Sequence, residues 1–339
     1  MGASGTGSGG DARMTTRLMS YREAVADGIA FEMRRDPNVY VAGEEVRQHG
    51  IAQGVTGYGV LEEFGPERVR NTPIVETAIV GHAVGAAAVG LRPVVEIMFM
   101  DFIGVCFDEL ANQAAKMHYM FAGQFKVPMV VRVASGAAAP YGAHHSQSLE
   151  ALVAHIPGLK TVAPATPSDA KGLIISAIRD DNPVVFVEHK GLQQVREEVP
   201  EGEYTVPLGK ADVKRRGGDV TLVGWSAMVT TCLKAAALLA ADGVDAEVID
   251  LRTLVPLDKD AILESVAKTH RLVIAQEATR TGGFAAEVAA IVADEAFDLL
   301  HAPIRRVTAP DTPVPYSPPL LAAWVPTAKD IRAAVLGLA

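Results

Sequence analysis

The stretch "NTPIVETAIVGHAVGAAAVG", residues 71–90, decides how the chain is read. From Ile79 to Gly90 it carries no charged side chain except His82 when protonated, and nearly every residue is small and apolar. Gly81, Gly85 and Gly90 cost a helix roughly 1 kcal/mol each relative to Ala. Such glycines are tolerated where another backbone must approach closely. The pattern therefore predicts a buried helix over 77–90 that faces a subunit interface or a bound ligand. One carboxylate, Glu76, opens it, with Pro73 just ahead of the first turn. Burial works against the glutamate anion and a helix N-terminus works for it. A carboxyl held between the two can share a proton with a basic ring nitrogen.

Outward from that helix, β-branched runs alternate with amphipathic or Ala-rich stretches. Strands are predicted at Val39–Ala42, Pro93–Phe99, Met129–Val133, Thr161–Ala163 and Val184–Glu188, and then at Val220–Val223, Asp245–Ile249, Leu272–Gln276 and Arg305–Thr308. Helices are predicted at Tyr21–Arg35, Asp108–Met120, Pro167–Arg179, Met228–Ala241, Lys259–Lys268 and Gly283–Leu299. This alternation specifies an α/β fold with mostly parallel sheets and helices on both faces. In "TPSDAKGLIISAIRD", Thr166 or Ser168 can cap, and Leu173, Ile174 and Ile178 form the inward stripe.

The pattern breaks at about 190–218, where Pro, Gly and charge interrupt any period. The expected organisation is a Gly/Ser-rich disordered tail at 1–14, a first domain at 15–195, a linker at 196–209 and a second domain at 210–339. An edge strand or hairpin is expected just after the linker. The Pro-rich but apolar "APDTPVPYSPPLLAAWVP" near the end is expected to pack across a partner surface. With 339 residues, 49% of them hydrophobic, the chain can build two full cores. Its net charge of −9 argues against nucleic acid as a partner. No apolar run reaches the ~20 residues of a membrane span. Two distant cysteines, Cys106 and Cys232, suit a reducing cytoplasm rather than a disulfide framework.

Several constellations invite chemical readings. Ser146 beside His145 lacks the G-x-S-x-G turn that would present a nucleophile. His144 and His145 have no further ligands at metal spacing. "GYG" at 57–59 lacks the third glycine and the context of a dinucleotide fingerprint. The acidic residues say more. Glu44 and Glu45 follow the strand "VYVAG" at its C-terminal end, where parallel sheets bind ligands. Glu96 sits inside the apolar run "PVVEIMF", read either as solvated or as half of an interface ion pair.

Five ordered stretches carry a family resemblance: "VAGEEV" at 41–46, "NTPIVETAIVGHAVGAA" at 71–87, "GLRPVVEIMFMDF" at 90–102, the run from "HHSQSLEALVAHIPGLK" to "EHK" at 144–190, and "PEGEYTVPLGKADVKRRGGDVTLV" at 200–223. Residues 15–339 resemble the beta subunit of the thiamine-diphosphate-dependent 2-oxoacid dehydrogenases. These are the decarboxylating components of the pyruvate, branched-chain 2-oxoacid and acetoin complexes. The resemblance implies a transketolase-like pyrimidine-binding domain followed by a transketolase C-terminal domain. It implies an enzyme that forms a hydroxyalkyl carbanion from pyruvate or acetoin and passes the acyl group to lipoamide of an acyltransferase core.

It also implies roles for particular residues. Glu76 would bond a pyrimidine nitrogen of the cofactor and favour its imino tautomer. Phe102 would stack on that ring. Glu44 would help pass protons between paired sites, and His145 would orient substrate or assist acylation of the lipoyl group. Backbone carbonyls at Met129, Ala177, Ile178, Asp180 and Asn182 would hold potassium. The family anchors the diphosphate through magnesium with Gly-Asp-Gly and, further on, Asn-Asn; this chain has neither. The resemblance therefore implies half a site, completed by an alpha subunit in a tetramer of two alpha and two beta chains. Alternatives are a branched-chain 2-oxoacid dehydrogenase beta subunit, another half-chain of the same superfamily, or a non-catalytic stabilising subunit. Departures from the family are His82, where a non-titratable residue is usual, "GLQQVREE" after Lys190, and "RQHGIAQGVTGYG" after Val46.

Overall fold

The computed structural model describes residues 15–47 and 58–338. The expected tail and most of the "RQHGIAQGVTGYG" segment lie outside the described residues. The first domain runs β1 (Thr16–Ser20), α1 (Tyr21–Arg35), β2 (Val39–Gly43), α2 (Val60–Phe64), β3 (Val69–Asn71), α3 (Glu76–Ala88) and β4 (Arg92–Ile97). After a 3₁₀ turn at Met100–Gly104 come α4 (Ala115–Met120), β5 (Val130–Ser135), α5 (Glu150–Ala154), β6 (Lys160–Val162), α6 (Pro167–Arg179), β7 (Val184–His189) and β8 (Arg196–Pro200). The second domain runs β9 (Asp212–Arg215), β10 (Val220–Gly224), α7 (Ala227–Ala241), β11 (Ala246–Asp250), β12 (Thr253–Val255), α8 (Lys259–Thr269), β13 (Leu272–Thr279), α9 (Ala285–Glu295), β14 (Arg305–Ala309), α10 (Pro318–Trp324) and α11 (Ala328–Leu336).

Local sequence explains the well-formed helices. Ser20 and Glu23 make a reciprocal capping box that starts α1. Thr166 accepts from the Asp169 amide and Pro167 occupies the first turn, which starts α6. The predicted helix at 108–120 is not uniform: Glu109–Ala114 is π-helical before α4 takes over.

Strand order in the main sheet is β12-β6-β7-β5-β4-β2-β3, and all its pairings are parallel except β12 with β6. Its strands alternate between two cores. Val39, Val41, Val94, Val130 and Phe186 face α1 and α6, while Tyr40, Ala42, Val95, Val131 and Val187 face α3. The second core continues without interruption into Val223, Ile249, Leu254 and Phe284 of the second domain. The second sheet has the order β14-β13-β10-β11-β9. Strand β12 belongs to the second domain in sequence but pairs with β6 of the first. The two domains thus share both a sheet and a core.

Packing corrects one expectation and gives detail to two others. The segment at 196–209 is not wholly linker, because β8 pairs antiparallel with β1 across five registered residues. Helix α3 is buried on one face only. Ile79, Val80, Ala83, Val84 and Ala87 are buried, while Thr77, Ala78, His82, Gly85 and Val89 are exposed. The Pro-rich closing segment packs on its own chain, where Val314, Leu321 and Trp324 are buried with Ala137 and Ala309. Tyr316 and Leu320 of that segment stay exposed. Among the described residues no helix is long and apolar enough to cross a membrane.

Candidate active site

Parallel register at the C-terminal end of the main sheet builds the site. Gly43, Glu96 and Arg132 are successive partners across β2, β4 and β5, so the last two present their side chains side by side on one face. Gly43 has no substitute here: a Cβ would lie 2.7 Å from the Glu96 carbonyl oxygen. Arg132 donates to Glu96 over 2.8 Å and to Glu188 over 2.7 Å. All three side chains are almost fully buried. Burial still holds Glu96 up at about 7, against the pull of Arg132. The sequence reading left Glu96 open between solvent and an interface; it is an internal ion pair. Arg132 escaped notice, although "MVVRVAS" carries the same signal as "PVVEIMF", a charge amid a buried strand.

Directly beyond this row lie Glu44 and Glu76. Glu44 follows β2, and Glu45 after it adopts a left-handed backbone (φ 53°) that turns the chain. Glu44 is 5% exposed, and its buried Oε1 finds no hydrogen-bond partner among the described residues. Its carboxyl is pushed up to about 7, first by burial and then by the negative charge of Glu76. Glu76 is the first residue of α3 and is 7% exposed. The helix N-terminus offers it unpaired backbone N–H groups and a favourable dipole. The two carboxyls are thus electrostatic neighbours at the mouth of the sheet.

Phe102 and His145 form a second cluster. Phe102 lies in the 3₁₀ turn after β4 and is half-buried. The His145 ring meets Phe99 and Phe102 edge-on, with centroids 4.7 and 5.4 Å away. Asp101 Oδ1 accepts from the Gln147 amide at 3.3 Å and from Gln147 Nε2 at 2.8 Å, tying the "HSQ" loop to the "MDF" turn. Lys190, at the end of β7, donates to the carbonyl oxygen of His145. Its neighbour His189 contacts Glu277 of β13 at 2.9 Å, and Glu277 also accepts from the Ala137 amide at 2.6 Å. Sequence reading missed Lys190, Asp101 and Glu277 as site-building residues.

Of the five residues expected around a cation, Ala177 and Ile178 lie at the C-terminal end of α6, Asp180 and Asn182 in the loop that follows, and Met129 directly before β5. The carbonyls of Ile178 and Asp180 accept from Arg92 at 2.9 and 3.1 Å. The Ala177 carbonyl accepts from the Asp180 amide, and the Met129 carbonyl from Val184. Asn182 donates twice to Asp180 Oδ1, each over 2.9 Å. Each carbonyl keeps a second lone pair. The helix C-terminus also favours positive charge.

His82 lies on the exposed face of α3, 2.9 Å from the Tyr40 hydroxyl. Apolar residues just ahead of Glu76 are exposed: Ile74 by 77% and Val75 by 46%. Between the domains opens a separate cleft of about 840 Å³, lined by Leu149, Leu152, His155, Leu254, Phe284 and Ile291 among others.

A two-faced parallel sheet bearing a buried glutamate at a helix start, fused to a second α/β domain, defines a thiamine-enzyme fold of the transketolase class. Residues 17–195 match the transketolase pyrimidine binding domain, and residues 209–331 the transketolase C-terminal domain. The fold superimposes on a split-gene transketolase, an inactive beta4 tetramer, with a TM-score of 0.77. That match has 24% identity and covers 94% of this chain and 98% of the other. Acetoin:2,6-dichlorophenolindophenol oxidoreductase subunit beta of Bacillus subtilis (strain 168) is 48% identical over 95% of this chain and 97% of its own. Pyruvate dehydrogenase E1 component subunit beta of Rickettsia felis (strain ATCC VR-1525 / URRWXCal2) is 48% identical over 94% and 97%. The chain belongs to the family of beta subunits of the acetoin and 2-oxoacid dehydrogenases. Its pyrimidine-binding domain implies dependence on thiamine diphosphate.

Proposed function

We propose that this chain is the beta subunit of a dehydrogenase component that takes pyruvate or acetoin and passes the acyl group to lipoamide of an acyltransferase core. It works only with an alpha subunit, as two alpha and two beta chains. The single observation that carries this reading is the pair Glu76 and Glu44: two buried carboxyls at the sheet's C-terminal mouth, the second raised to about 7 and with an oxygen that has no partner among the described residues. A purely stabilising subunit has no need of an uncompensated acid there, since burying one costs free energy.

These residues fit the pyrimidine half of thiamine diphosphate. Bound there, that group would supply the electron sink that lets a bond beside a carbonyl carbon break. Glu76 would hold a proton at a ring nitrogen. Glu44, titrating near neutrality, would take a proton up or return it. Phe102 would offer an aromatic face to the ring. His145, against the edges of two phenyl rings, would orient the substrate carbonyl or the lipoyl thioester. The diphosphate and its magnesium would be held by the alpha subunit, because this sequence lacks the Gly-Asp-Gly and Asn-Asn pair. The carbonyls of Met129, Ala177, Ile178 and Asp180, with Asn182, would take potassium beside Arg92. The exposed small-residue face of α3, with exposed Ile74 and Val75 before its start and Val89 after its end, suits docking of partner chains. A cytoplasmic setting agrees with two free, buried thiols, Cys106 and Cys232.

The deciding experiment is an assay of the co-expressed alpha–beta complex on pyruvate, acetoin and branched-chain 2-oxoacids with lipoamide or a dye acceptor. Turnover of pyruvate or acetoin is expected. A complex that oxidises none of them refutes the reading, and preference for branched-chain substrates reassigns it.

A further inference from the structure

We infer that Lys190 is the positioning residue for His145, holding the imidazole in register by gripping its backbone carbonyl from the end of β7. The inference rests on the site reading above for what His145 does, but its geometry stands on its own. Strand β7 ends in Glu188 and His189, Lys190 follows directly, and each of these consecutive side chains anchors a different part of the site. Glu188 holds Arg132 beneath the Glu44 mouth. His189 holds Glu277 of the second domain. Lys190 reaches the His145 carbonyl.

The Lys190 ammonium sits in a box. Phe99 lies beneath it, 5.0 Å from ring centroid to nitrogen, and Tyr141 lies 5.2 Å away. Two carboxylates face it electrostatically, Asp101 from the turn after β4 and Glu277 from β13. Glu277 is shared with His189. Phe99 also carries the His145 ring on its edge. The ammonium and the imidazole therefore share one aromatic platform. Movement of Lys190 would move the His145 backbone and uncover the ring that locates its side chain. Two residues on, Gln147 is tied to Asp101, so the segment has a second anchor beside the one Lys190 supplies.

Burial lowers Lys190 to about 8, with Asp101 and Glu277 resisting the shift. Above that pH the side chain loses its charge, and with it the attraction to both rings and the stronger form of its hydrogen bond. The grip on His145 is thus built to weaken on the alkaline side. An arginine in its place keeps the charge throughout.

The test uses the alpha–beta complex with Lys190→Met and Lys190→Arg variants. Backbone hydrogen exchange over residues 141–149, followed by mass spectrometry, needs no turnover and reads positioning directly. Acyl transfer to lipoamide, measured as kcat and KM across pH, reads the consequence. In Lys190→Met, exchange over 141–149 should quicken and kcat for acyl transfer should fall roughly 10- to 100-fold with little change in KM. Its alkaline limb near 8 should disappear. Lys190→Arg should restore slow exchange and most of kcat, with the limb displaced upward. Unchanged exchange and an unchanged limb in Lys190→Met overturn the inference, as does a Lys190→Arg limb that stays at the wild-type position. A wild-type complex that turns over no substrate refutes the proposed function instead, while the exchange data still judge the grip.

Discussion

Arg132 and Glu96 are registered neighbours on β5 and β4, and the guanidinium donates to the carboxylate over 2.8 Å. Glu188 takes the other side of the same guanidinium at 2.7 Å. One cation thus pairs with two acids beneath the mouth where Glu44 and Glu76 meet, and the second acid is left without a counter-charge of its own. A buried arrangement of this kind adds little net stability over an apolar one, but removing one member leaves uncompensated charge.

Arg132→Met should therefore destabilise the protein by about 3–5 kcal/mol, because two carboxylates would be left facing each other in the core. Chemical denaturation of the variant checks this. The double variant Arg132→Met/Glu96→Gln should recover part of the loss. A single variant as stable as wild type would mean that the acids take up protons at no cost.

Glu76→Gln should leave assembly with the alpha subunit intact and nearly abolish turnover. The amide fills the same space at the start of α3 but cannot hold an exchangeable acid proton. Size-exclusion chromatography and an activity assay together decide the matter. Surviving turnover would remove Glu76 from the acid–base step.

Glu44→Gln should alter the pH profile of the complex. Glu44 is raised to about 7, so its anion forms as pH rises through neutrality. A limb of activity near pH 7 is expected in the wild type and should be missing from the variant. A profile that keeps that limb would assign it to another group.

Glu150 offers a test of linkage away from the reaction. It is buried at the start of α5, and burial lifts it from 4.5 to about 7, with Glu277 adding to the rise and His189 opposing it. A raised carboxyl contributes stability that is present below its unfolded value and is lost as pH climbs through its folded value. Glu150→Gln should match the wild type below about pH 4.5 and be more stable well above pH 7, by up to about 3 kcal/mol. Thermal melts at both ends of that window check the sign.

Offered thiamine diphosphate and magnesium without its partner, the isolated chain should show no tight binding by calorimetry. On the proposed reading it presents the pyrimidine side alone. Tight binding would mean that this chain holds the diphosphate after all.

The sequence by itself determined the alternation of strands and helices, since β-branched runs and period-3.6 stripes are local signals. Tyr21–Arg35 and Pro167–Arg179 were legible to the residue because their caps lie in the adjoining sequence. It also marked Glu76 by its apolar surroundings and Glu44 by its place at a strand's C-terminal end, whereas Phe102 and His145 were given their roles only through the family resemblance. Short edge elements were not legible. Strands β1, β3, β8 and β12 have 3 to 5 residues and gain their structure from a partner strand that is distant in sequence. Only the tertiary structure decided which charges meet. Arg132 finds Glu96 through parallel register, Glu277 reaches His189 from 88 residues away, and Lys190 grips a carbonyl that has no side-chain identity to read. A sequence lists the groups that burial will strip of water; only the fold sets the distances over which they compensate one another.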